Sequence, residues 1–100
     1  MTQPEMLRQL RLRLPDAPDA TDALLSSLLA DAAALIRALT WRQQVPEELQ
    51  NAQLRAAVIF FNRMGMEGER DHSEGDVRRA AVDLPEALRR EIFSYRLAKT

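Results

Sequence analysis

A stripe of leucine and alanine in the first half of the chain sets the tightest limit on its fold. Leu24, Leu25, Leu28, Leu29, Ala32, Leu35, Ile36 and Leu39 recur at intervals of three and four. In a helix that spacing gathers them on one face, whereas in a strand it would scatter them over both. The spacing predicts a helix over residues 20–40 whose apolar face has to be buried against other helices. Asp19 or Thr21 can cap its first turn by accepting from an orphan amide. Its end falls near Leu39 to Trp41.

Three further helical patterns follow the same logic. The first covers residues 4–14. Pro4 suits a first helical turn, where a missing N–H costs nothing. Leu7, Leu10 and Leu14 share a face, Arg8, Arg11 and Arg13 lie largely elsewhere, and Pro15 stops the helix. The next covers residues 46–64, with Pro46, Glu47 and Glu48 at its start, where acidic groups favour the helix dipole. From Ala56 to Phe61 it is apolar all round, which predicts a central helix covered on more than one side. Gly65 reads as its C-terminal cap. The last covers residues 85–98. Asp83 with Glu86 resembles a capping box, and Leu88, Ile92 and Tyr95 form its stripe. The expected fold is all-α: one domain over residues 1–100, a small bundle of four helices with room for a fifth.

Composition narrows the function. A chain of 100 residues suits one domain with one modest core, burying somewhat over ~60% of its unfolded surface. The net charge of −1 gives no overall field to attract nucleic acid or an anionic membrane. There is no cysteine, hence no disulfide or thiolate chemistry. The longest uncharged run, Ala23 to Ala30, is eight residues, against about 20 for a membrane span. The start lacks the basic and apolar parts of a signal peptide, so synthesis in the cytoplasm is expected. Basic charge is nearly all arginine, with Lys99 the only lysine. That skew fits a GC-rich genome first and planar interface contacts second.

Residues 65–82 do not fit a plain bundle. They hold all three glycines and the only histidine, and show no helical stripe. Helix connections in bundles usually take about 2–8 residues, so one this long tends to be functional. Extended, it could reach about 60 Å at ~3.3 Å per residue, as an arm. Alternation around residues 77–82 allows a short strand or β-hairpin. Glu67, Glu69, Asp71, His72, Glu74 and Asp76 lack calcium-loop spacing, and a zinc site would want more His or Cys. A solvated polar loop is the better reading. His72 and Ser73 are adjacent and so unsuited to act as base and nucleophile. The pairs Arg78–Arg79 and Arg89–Arg90 suit surface salt bridges better than phosphate. No catalytic residue, metal or cofactor is expected, and the chain does not read as an enzyme.

One stretch of sequence carries a resemblance. Phe61-Asn62-Arg63-Met64-Gly65-Met66-Glu67-Gly68-Glu69, then His72-Ser73-Glu74-Gly75-Asp76-Val77, resembles a motif of the phage head–tail connector (adaptor) family. The pattern is Asn-Arg at a helix end, Gly-x-Glu-Gly, then Ser-Glu-Gly-Gly and a hydrophobic residue. Leu84-Pro85 and Tyr95-Arg96 match its later Leu-Pro turn and Tyr-Arg. The Leu/Arg helix, Pro/Asp linker and long Leu/Ala helix at the start also match in order. One departure is Asp76 where the family has a second glycine; aspartate tolerates left-handed backbone better than most residues.

The resemblance implies a helical virion protein with a long loop, made in the host bacterial cytoplasm. It implies a ring, usually a dodecamer on the portal protein and compatible with a monomer in isolation. The ring would extend the DNA channel, without sequence-specific DNA binding, and meet a stopper or tail-completion protein. On that reading the 65–82 loop would reach a neighbour or the portal, and Glu67, Glu74 and Asp76 would meet arginines there. Gly65, Gly68 and Gly75 would allow backbone pairing, within a motif that includes Arg63, Ser73 and Val77. The last helix, with Tyr95, Arg96 and Lys99, would dock on the portal, since Tyr and Arg favour interfaces. Equally, Tyr95 would be core, with Arg96 and Lys99 suiting a helix C-terminus. The alternatives are a generic helical interaction protein or a nucleic-acid-binding regulator. The second is opposed by the apolar run Ala56 to Phe61, which a groove-reading helix would not carry.

Overall fold

Thr2 opens the first helix. Its hydroxyl accepts from the Glu5 amide at 3.3 Å, and Pro4 lies in the first turn. The computed structural model describes residues 1–67 and 84–97, and the side chains of residues 1–64 and 84–97. Helix α1, Gln3–Leu12, buries Met6 and Leu10. It ends two residues before the predicted Leu14, because Pro15 disfavours helical backbone at the residue before it. Leu14 is still buried, beyond the helix. Two side-chain bonds of 2.6 Å, Arg11 to Asp22 and Arg13 to Asn51, tie the end of α1 to the helices that follow.

Helix α2, Asp22–Thr40, is capped by Thr21, whose hydroxyl accepts from the Leu24 amide at 3.1 Å. This selects Thr21 over Asp19 as the cap. Leu25, Leu28, Leu29, Ala32, Leu35 and Ile36 are buried, and Leu24 and Leu39 pack at the core's margin. By length and composition alone α2 could cross a membrane. Its apolar face is instead spent on α1, α3 and α4, the role of a core helix.

A short 3-10 turn, Glu47–Leu49, leads into α3, Gln50–Glu67, which touches the three other helices of the described residues. Ala52, Leu54, Ala56, Ala57 and Phe60 are buried, and Val58, Ile59 and Phe61 pack against the same core. This is the centrally covered helix predicted from its apolar run, and a recognition helix could not be so enclosed. Gly65 is not a cap: α3 continues through it to Glu67. Glycine costs a helix only about 1 kcal/mol relative to alanine, which the rest of so long a helix can absorb.

Helix α4, Glu86–Phe93, sets Leu88 and Ile92 in the core, preceded by buried Leu84 and followed by half-buried Tyr95. Its N-cap is Pro85, without a side-chain bond, two residues beyond the Asp83 of the predicted Asp83–Glu86 capping box. Asp83 lies outside the described residues. The helix also stops five residues short of the predicted Ala98. Ser94 donates to the Glu91 carbonyl at 2.6 Å, and the amides of Tyr95 and Arg96 bond three residues back, at 3.0 Å each. Such tightened bonds end a helix. The described residues are helix and connecting turns, with no strand among them, and form one core. The hairpin considered for residues 77–82 lies outside them.

Candidate functional site

The end of α2 and the segment after α4 meet at one end of the bundle. A helix leaves its last carbonyls without intrahelical partners. Here the C-terminal segment supplies some. The Leu97 amide donates to the Thr40 carbonyl at 2.9 Å, and Arg96 Nε to the Leu39 carbonyl at 3.0 Å. In return Arg42 Nε donates to the Tyr95 carbonyl at 2.8 Å. Arginine at a helix C-terminus also complements the dipole.

Between these bonds stands Trp41, the C-cap of α2, with φ 60° and ψ 28°. Among the described non-glycine residues only Trp41 holds positive φ. That geometry ordinarily goes to glycine or asparagine. The Arg96 guanidinium carbon sits 4.2 Å from the centre of the Trp41 ring and 4.8 Å from that of Phe93. A guanidinium over an aromatic face is attracted by the ring quadrupole. Trp41 remains 45% exposed, Phe93 39% and Leu97 44%. The result is an arginine held against two rings, with apolar surface around it. Exposed tryptophan and arginine of this kind anchor protein interfaces.

The predicted site residues divide three ways. Arg96 is exposed and stacked, as an interface residue would be. Tyr95 turns toward the core and contributes its carbonyl to Arg42, so it does not join Arg96 on the surface. Arg63 is half-buried on α3, and Gly65 and Glu67 continue that helix. Gly68, Ser73, Glu74, Gly75, Asp76, Val77 and Lys99 lie outside the described residues. Arg90 pairs with Glu86 at 2.7 Å, the surface bridge expected of it. No group of three or more His, Cys, Asp or Glu able to hold a metal occurs among the described residues.

Trp41 and Phe93 were not singled out by sequence reasoning. The available signal was a lone tryptophan where the α2 stripe ends, off the repeat that fills the core.

No curated protein and no solved structure matches this chain. Residues 5–96 match the family model described as phage gp6-like head-tail connector protein, and that span takes in all but the first two residues of the four described helices, the 65–82 segment and Trp41, Phe93 and Arg96. The chain therefore belongs to the phage head–tail connector family, as a structural component of the virion that works through contact with other head and tail proteins.

Proposed function

We propose that the chain is an adaptor subunit that assembles as a ring beneath the phage portal, extends the DNA channel and joins the head to the stopper or tail. The observation that carries this reading is the family match over residues 5–96. The physical properties agree with it. A closed ring repeats one heterologous interface, so each subunit must offer two different faces. One is the last turn of α3, with Gly65 and Glu67, and the residues from there to 82, with Gly68, Ser73, Glu74, Gly75, Asp76 and Val77, which we assign to the neighbouring subunit or the portal. Arg63 stands at its root. The other is the bundle end carrying Arg96, with Lys99 just beyond, which we assign to docking. A net charge of −1 suits a channel wall, because each added Lys or Arg contact would grip passing DNA more tightly.

The test is deletion of residues 68–75. The far-UV circular dichroism of the isolated subunit should be unchanged, because the core draws on residues 6–64 and 84–95. Assembly on the portal should be lost. Collapse of the helical signal, or normal assembly without the segment, contradicts the assignment.

A further inference from the structure

We propose that Trp41, Phe93 and Arg96 form a docking site for an acidic polypeptide segment of the adjoining head or tail protein, with Arg96 receiving a carboxylate. The proposal rests on the connector reading above and names the chemistry that the bundle end would recognise.

Arg96 is already positioned for that task. Two rings hold its guanidinium, at 4.2 and 4.8 Å, and its Nε is engaged by the Leu39 carbonyl. Its terminal amino groups make no hydrogen bond or ion pair among the described residues. A planar fork held this way matches a carboxylate by two parallel bonds. It also has little conformational freedom left to lose on binding.

Charge selects the occupant. The chain has 15 acidic residues against 14 basic ones, yet residues 32–46 and 92–97 contain Arg37, Arg42 and Arg96 and no Asp or Glu. Hydrogen bonds bring Leu39, Thr40 and Arg42 together with Tyr95, Arg96 and Leu97, so the two acid-free stretches meet. An acidic segment complements that end. The exposed faces of Phe93 and Leu97 favour a polypeptide with apolar neighbours to its carboxylate over a nucleic-acid backbone. Trp41 adds an independent sign. A bulky residue kept at positive φ is strained, and such strain collects at binding sites. A glycine would end α2 at lower cost, whereas the indole supplies one of the two rings that hold Arg96.

Trp41 is the only tryptophan, which makes the site directly observable. The full chain carrying 7-azatryptophan at this position can be excited apart from a partner's tryptophans. It would be mixed in turn with the portal protein, the stopper protein and duplex DNA, with binding followed by mass detection. On binding the portal or stopper, acrylamide quenching of residue 41 should fall several-fold. Arg96→Glu should weaken that binding at least tenfold, and Arg96→Lys should fail to restore it. Arg8→Glu, on the exposed side of α1, should leave it unchanged. Because the quenching readout uses the unsubstituted cluster, it stands even if Arg96→Glu disturbs the fold. A protein that binds while residue 41 stays equally quenchable overturns the docking site and leaves the connector reading intact. Protection by duplex DNA alone overturns it in favour of a nucleic-acid surface. Binding of neither protein overturns both.

Discussion

Trp41 sets a backbone cost against the contacts of its ring, and comparing two replacements separates them. Left-handed backbone costs a residue with a Cβ roughly 1–2 kcal/mol. The exposed stack with Arg96 returns only about 0.5–1 kcal/mol. Trp41→Gly removes the backbone cost together with the ring contacts, so in denaturant unfolding it should be more stable than Trp41→Ala by about 1 kcal/mol. Trp41→Ala keeps the backbone penalty and loses the stack, so it should destabilise by about 0.5–1 kcal/mol. If both variants lose equal stability, the strain argument fails. The Thr21 cap is a simpler case: Thr21→Ala should cost about 1 kcal/mol. Individual residues were unevenly legible. Leu28, Leu29, Ile36 and Ile92 could be assigned to the core from spacing alone, and all are buried. The left-handed Trp41 could not be foreseen, because that geometry depends on Arg96 and Leu97 arriving from more than fifty residues away.

The helices were legible wherever one stripe faced one core. Thr21 and Pro15 marked boundaries through local effects that act wherever those residues occur. Errors gathered where tertiary contacts decide the outcome. Gly65 carries a stop signal, but α3 runs past it. The stripe of α4 continues to Tyr95, but the helix ends at Phe93 so that the chain can cross to the end of α2. Helices α2 and α3 bury small residues completely: Ala32, Ala52, Ala56 and Ala57. Ala56→Leu should overpack that region and cost about 1–3 kcal/mol, read as a lower urea midpoint with an unchanged m-value. The Arg55–Glu91 pair between α3 and α4 is about 40% exposed on both sides. Its removal by Glu91→Gln should cost less than about 1 kcal/mol. A larger loss would mean that the pair orients α4 on α3.

Taken whole, the chain combines an ordinary helical core with two features that its helical stripes do not account for. One is segment 65–82, which holds all three glycines and a run of acidic residues. The other is the acid-free end around Arg96. The first stood out in the sequence by its length and motif, which also pointed to the family that the match over residues 5–96 then showed. The second was only half legible, since Arg96 could be named but its partners across the fold could not. A core carrying two such features would suit the proposed adaptor, which has to meet both its own copies and the portal. The most direct measurement is size exclusion with mass detection of this protein mixed with the portal protein of the same genome. The account predicts one stable complex carrying many copies of the chain per portal ring. Separate elution of both folded proteins at concentrations well above micromolar would contradict it.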